Sequence, residues 1–231
     1  MIEVDSLSFG YGVGSRVLEN LSLTLRPGEA VGLIGRNGSG KTTLLHALCG
    51  LLTPSAGSIR VGDLDPGRPA DRRDLPRAVG LVFQNPDDQL IASRVDEDVA
   101  FGPLNLGLPR DAVAERVREA LAAVHLTGME ARDPMRLSGG EKRRVALAGV
   151  LAMRPRVLLL DEPGAFLDLR EARQLAKILA DRTGTMLVAG HDLELMRKCC
   201  TRIVLLDGGR IVREGTPDRP WEDDPAFRDD D

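Results

Sequence analysis

The chain has 231 residues, of which 42% are hydrophobic and 29% charged, with a formal net charge of −4. That length buries a sizeable core, as one compact domain or as a large lobe with a smaller one inserted, and the charge gives no general field for binding nucleic acid. No window approaches the roughly 18 apolar residues of a membrane span, Met1-Ile2-Glu3-Val4-Asp5 is no signal peptide, and the three cysteines (Cys49, Cys199, Cys200) without a C-x-x-C favour a reduced compartment over a zinc site, so the cytosol is expected.

From residue 2 to 34, β-like runs (Ile2 to Phe9, Leu21 to Leu25, Ala30 to Ile34) alternate with glycine-bearing turns, predicting an antiparallel β patch and then a buried strand. Tyr11 sits between two glycines; core packing and stacking on a base fit its local pattern equally. Gly35-Arg36-Asn37-Gly38-Ser39-Gly40-Lys41-Thr42 then matches G-x-x-x-x-G-K-[ST] between that strand and a helix opening at Thr43. Such a loop wraps a polyphosphate because glycines remove Cβ clashes, backbone N–H groups point inward and the helix N-terminus is partly positive. Lys41 is placed to reach the β- and γ-phosphates, and the Thr42 hydroxyl to coordinate Mg²⁺.

Asp63 to Arg77 reads as surface loop, and Val79 to Phe83 as a buried strand ending at Gln84. A glutamine there can reach a metal or a water, although polar strand ends are common. From about Ala92 to Met153 the pattern turns helical, with Val113, Val117, Leu121 and Val124 spaced as the packing face of a helix from Arg110 to His125. Leu137-Ser138-Gly139-Gly140-Glu141 precedes the next helix and again offers N–H groups to an anion.

Val157 to Leu160 is a fully buried strand that delivers Asp161 and Glu162 at its C-terminal end, the edge where open α/β sheets bind ligands. Asp161 would complete a Mg²⁺ shell through water and Glu162 would polarise an attacking water; the competing reading is a helix cap. A helix from Glu171 to Asp181 and a strand from Met186 to Ala189 follow, ending at His191, which can sense a γ-phosphate; His46 and His125, placed within helices, are structural. A strand, the hairpin turn Asp207-Gly208-Gly209-Arg210 and an acidic tail, expected to be disordered from Glu222, close the chain.

The order of these elements resembles the ATP-binding cassette (ABC) ATPases over essentially the whole chain. The resemblance implies a P-loop NTPase core of mostly parallel sheet with an antiparallel β patch (1–84 and 156–220), an inserted helical subdomain (85–155) and the tail 221–231. It makes Gly35, Asn37, Gly38, Ser39, Gly40, Lys41, Thr42 and Thr43 the nucleotide loop, Ser138, Gly139 and Gly140 the LSGGE signature, and Asp161 and Glu162 the Walker B aspartate and catalytic glutamate. Asp168 falls in the D-loop and His191 becomes the switch histidine. By the same likeness Tyr11 stacks on adenine, and Gln84 touches Mg²⁺ and water and senses the membrane partner. The family pattern departs at Gly164, where Thr or Ser is common, and at Gly190, where Thr is common.

Phe83 to Leu90, Glu97 to Gly107 and Ser138 to Gly149 look like the ATPase subunits of energy-coupling factor (ECF) importers and the related cobalt/nickel uptake systems. The implied cofactors are ATP and Mg²⁺. The implied partners are a second ATPase subunit (a copy or a close paralogue), a transmembrane scaffold and a substrate-binding membrane protein, with no nucleic acid, at the cytoplasmic face of the membrane. The overall wording leans to a divalent metal as cargo, with a vitamin such as biotin as the alternative and a soluble ABC ATPase as the more distant one.

Overall fold

The computed structural model describes residues 1–12 and 14–227. Strands β1 (Ile2–Phe9) and β2 (Leu18–Leu25) bury one face and expose the other, the alternation skipping a step at a bulge in each, Ser6 (φ 52°) and Asn20 (φ 49°). Strand β3 (Ala30–Ile34) is buried at every position and runs through the glycine-rich loop into α1 (Lys41–Leu48). β4 (Ala56–Val61) returns to β1, giving an antiparallel sheet of order β2-β1-β4.

The short helix α2 (Leu75–Ala78), within what the sequence suggested was loop, leads into β5 (Val79–Val82). Helices α3 (Val95–Asn105), α4 (Arg110–Ala123) and α5 (Gly139–Ala152) form the helical region. The remainder alternates: β6 (Val157–Asp161), α6 (Leu169–Ala180), β7 (Thr185–Ala189), α7 (Leu193–Cys199), then the hairpin β8 (Arg202–Asp207) and β9 (Arg210–Gly215). The larger sheet has the order β5-β6-β7-β3-β8-β9, parallel except for β9.

Apolar residues on both faces of these strands divide the core in two. Val31 and Leu33, Val157 and Leu159, and Leu187 and Ala189 face α1 and the β patch; Ile34, Leu158, Leu160 and Val188 face the other helices. Each fully buried Val or Leu is worth about 1.5–3 kcal/mol, so both layers pin the strand register. That register sets Leu33 beside Ala189, Ala189 beside Asp161, and Val82 beside Leu160. The C-terminal ends of β3, β7, β6 and β5 are therefore flush, and the residues that follow them emerge side by side.

Two expectations are corrected. His125 is not within a helix: α4 ends at Ala123, and His125 takes a left-handed conformation (φ 57°) while the Leu126 N–H returns to the Leu121 carbonyl at 2.8 Å, a Schellman-type stop. Nor is the tail disordered from Glu222. Trp221, 0% exposed, donates from Nε1 to the Thr216 carbonyl at 2.9 Å under the Arg219 guanidinium, and Ala226 and Phe227 pack on the core. The acidic residues serve as counterions: Asp224 lies 3.0 Å from Arg213 and 3.6 Å from Arg219, and Glu222 lies 2.8 Å from Arg197. Residues 228–231 of that tail lie outside the described residues.

Candidate nucleotide site

The glycine-rich loop fits where only glycine can. Gly40, the residue before α1, has φ 108°, and a Cβ there would lie 2.7 Å from Leu18 Cδ2. Lys41, 6% exposed, folds into the loop it follows, its Nζ donating to the carbonyls of Gly35 (2.7 Å) and Arg36 (3.1 Å) and lying 3.8 Å from Glu162 Oε1. An ammonium held by two loop carbonyls, beside the exposed Gly38, has the geometry to exchange those neutral acceptors for phosphate oxygens, which bind it more strongly. Ser39 and Thr43 are buried, while Asn37, Gly38 and Thr42 are exposed.

Asp161 and Glu162 emerge beside this loop. Asp161 is buried with the Thr42 hydroxyl near its carboxylate, and Oδ1 has no hydrogen-bond partner among the described residues. Burial pushes its carboxyl up from the ordinary aspartate range, against the opposing pull of the Thr42 hydroxyl, His46 and Lys41. Glu162 is buried too, in a left-handed conformation (φ 44°) with Oε2 3.0 Å from His191 Nδ1. Its N–H donates to the Ala189 carbonyl (2.9 Å), and its own carbonyl accepts from Arg143 Nη1 (2.6 Å). Neither carboxylate caps the following helix. That cap is Asp168, whose Oδ1 accepts from the Glu171 N–H at 2.8 Å while Glu171 reaches back to the Asp168 N–H.

Tyr11 is not core: its side chain is 65% exposed, its ring meets Phe9 edge-on at 5.0 Å, and its hydroxyl lies 3.2 Å from Thr43 Oγ1. It stands over the start of α1 with aromatic surface open to solvent, as a base-stacking residue requires. His46 remains a packing residue, its ring 6.1 Å from that of Phe83. Gln84 is exposed and its carbonyl accepts from Arg143 Nη2 at 2.9 Å.

The structure thus assembles Gly35 to Thr43, Asp161, Glu162, His191 and Tyr11 at one edge, and seats Ser138, Gly139 and Gly140 elsewhere, at the start of α5. There Ser138 and Glu141 form a capping box, Gly139 is exposed, and a Cβ on Gly140 would collide with the Glu171 carboxylate. A 290 Å³ cleft beside it is lined by Gln84, Gly139, Arg143, Phe166 and Leu167. Sequence reasoning missed Arg143. Its signal was a charged residue in step with Ala146, Leu147 and Val150 on the buried stripe of α5.

A glycine-rich loop between strand and helix, with an acidic strand end beside it in a parallel sheet, defines a P-loop nucleotide cassette. The family description "ABC transporter" matches residues 18–165. Over 236 aligned residues the chain is 43% identical to the energy-coupling factor transporter ATP-binding protein EcfA of Methanocaldococcus jannaschii, covering 99% of this chain and 83% of that one. Its EcfA counterpart in Methanothermobacter thermautotrophicus is 44% identical, covering 99% and 75%. Among solved structures, cbiO1 from Clostridium perfringens, part of the ABC transporter complex cbiONQ, superposes with a TM-score of 0.86 at 33% identity, over 96% of this chain and 90% of that one. A dimeric ATP-binding cassette in a post-hydrolysis state with ADP and Pi superposes at 0.85 and 26% identity, over 94% and 99%. This chain belongs to the ABC transporter family, as an ATP-binding subunit whose ATP hydrolysis is coupled to transport.

Proposed function

We propose that the chain energises an ECF-type importer from the cytoplasmic face of the membrane, paired head to tail with a second copy or close paralogue, and that the cargo is a divalent metal such as cobalt or nickel. The hydrolytic reading rests on one observation: Glu162 is buried beside Lys41 with its carboxylate held by His191. From there Glu162 orients a water and takes its proton, while Lys41 neutralises the phosphate charge and His191 senses the γ-phosphate. Tyr11 stacks on the base, and Asn37 and Ser39 line the loop. The importer reading rests on likeness to EcfA along 99% of this chain.

Mg²⁺ fits the donors present, because Thr42 offers a hydroxyl and Asp161 a buried carboxylate oxygen in want of a partner, both hard ligands. Thr42, Asp161 through water, and Gln84 would hold it, and it would neutralise charge on the β- and γ-phosphates.

Closure brings Ser138, Gly139 and Gly140 of one subunit, with the D-loop Asp168, over the nucleotide of the other. The residues after Gln84 carry that motion. Asp87 is 2.7 Å from Lys142 of α5, the Gln89 amide bridges the Phe83 N–H and the Ala146 carbonyl, and Asp98 of α3 accepts from the N–H groups of Ile91 and Ala92. Next to this loop, α3 and α4 enclose an 840 Å³ groove with apolar lining including Leu104 and Val113, and a rim of mixed charge formed by Asp96, Glu97, Glu130, Arg110 and Arg118. Its occupant in this reading is a cytoplasmic helix of the membrane scaffold that lays an apolar side against Leu104 and Val113.

The test is co-expression with the membrane proteins encoded beside this chain, followed by ATP-driven uptake into vesicles. Cobalt or nickel uptake supports the metal reading, and vitamin uptake in its place overturns it. Glu162→Gln should retain ATP in a closed dimer with turnover below about 1%; near-normal turnover refutes the base.

A further inference from the structure

Arg143 is 5% exposed, yet its guanidinium meets no carboxylate within ion-pair distance among the described residues. Its two terminal nitrogens divide between backbone carbonyls, Nη1 to Glu162 (2.6 Å) and Nη2 to Gln84 (2.9 Å), and its Nε is buried without a partner. Burying a cation in this way costs several kcal/mol, and an apolar side chain of similar volume generally serves stability as well or better. What the cation supplies is geometry. A planar fork fixes two acceptors relative to each other, and these two sit across from one another because Val82 pairs with Leu160 and each chain runs on by two residues.

Both peptide units that flank Glu162 are held: the Ala189 carbonyl takes its N–H and Arg143 holds its C=O. A left-handed non-glycine residue persists only where its surroundings over-determine it. The aim of the Glu162 carboxylate at His191 and Lys41 follows from the φ and ψ that these two planes fix. Arg143 is the fifth residue of α5, the helix that opens at the signature, so any swing of α5 pulls on Glu162 and Gln84 together.

We propose that Arg143 is a positioning residue that transmits the placement of the signature helix to Glu162 and Gln84, so that the water-activating carboxylate is aimed only when the helical lobe is seated. This rests on the assignment of Glu162 as base, and the experiment separates the two.

Full-length chain carrying Arg143→Met, which keeps the stem and loses both hydrogen bonds, is compared with unaltered chain, Arg143→Lys, Glu162→Gln and the Arg143→Met/Glu162→Gln double variant. The expected result for Arg143→Met is a fall in kcat of about 30-fold with KM and ATP affinity within about twofold, since the side chain touches no nucleotide-loop residue. Arg143→Lys should recover part of that loss. In the Glu162→Gln background, adding Arg143→Met should change the residual rate by no more than about threefold, because the carboxylate it aims is gone and only its hold on Gln84 is left to lose. A kcat within about threefold of normal, an equal fall in both backgrounds, or ATP affinity lost in proportion to rate overturns the role. If Arg143→Met does not fold, Arg143→Lys alone decides, with kcat lowered at constant KM as support and unchanged kcat as refutation. If Glu162→Gln itself turns over normally, the base assignment falls and this role with it. If Glu162→Gln is inactive while Arg143→Met is normal, only the role of Arg143 falls.

Discussion

The glycine-rich loop and the start of α5 are both helix N-termini with glycine beside them, yet they differ in how their polar groups are occupied. At the loop, most charge is answered from within: Lys41 lies on the carbonyls of Gly35 and Arg36 and Glu162 against His191, while one oxygen of Asp161 is left without a partner among the described residues. At α5, the capping box engages only Ser138 and Glu141, Gly139 is exposed, and a Cβ added there would meet nothing within 4 Å. The first surface is a pocket that a ligand enters by displacing internal partners. The second is an open face, which in the proposed head-to-tail pair would meet the nucleotide of the other subunit.

The largest effect that could break this contrast comes from mixing two crippled chains. Lys41→Ala and Ser138→Arg should each drop phosphate release below about 1%, and an equal mixture should regain up to about a quarter of normal turnover, because one of the two sites in a mixed dimer is intact. A mixture as inactive as its components would mean the two surfaces do not meet across subunits. A mid-sized effect sharpens the pocket side. The Asp161 carboxyl titrates above its unfolded value, so the folded state binds more protons in that interval and loses stability as pH rises through it. Asp161→Asn should therefore abolish hydrolysis while raising the neutral-pH Tm of the nucleotide-free chain, with the gain vanishing below the ordinary aspartate range. Thermal melts across pH with no such difference would count against a strained, metal-ready carboxylate.

The smallest expected effect concerns a departure from the family pattern. A Cβ on Gly164 would stand 2.9 Å from Asp192 Oδ2, whose other oxygen caps α7 by accepting from the Leu195 N–H at 2.9 Å. Gly164→Ser can donate to that free edge of Asp192, so a gain of about 0.5 kcal/mol is expected in denaturant melts, with kcat within about twofold of normal. A loss of more than about 1 kcal/mol would show that glycine is needed there for space.

The phosphate loop and the β6 edge were legible because their spacing is dictated by a ligand and by the strand period. Tyr11 was ambiguous because burial of a lone aromatic is decided by distant packing, here by Phe9 and Thr43. The tail was misread from its acidity alone, since the arginines that neutralise it, Arg197 and Arg213, lie earlier in the chain and Trp221 supplies the apolar anchor. Arg143 was hidden for a related reason. A charge on a helix is ordinary, and only the tertiary fold reveals that its two acceptors come from strands nearly twenty and sixty positions away.

The flush strand ends also constrain how this gene can vary in length. Removing one residue within β6 would retract Asp161 and Glu162 by about 3.3 Å and turn every side chain of that strand to the opposite layer, so both cores and the site would fail at once. Insertions and deletions are tolerable where nothing is counted in rungs, as in the surface stretch from Asp63 to Asp74. Length variation in natural relatives should accumulate there while β3, β6 and β7 keep their spans.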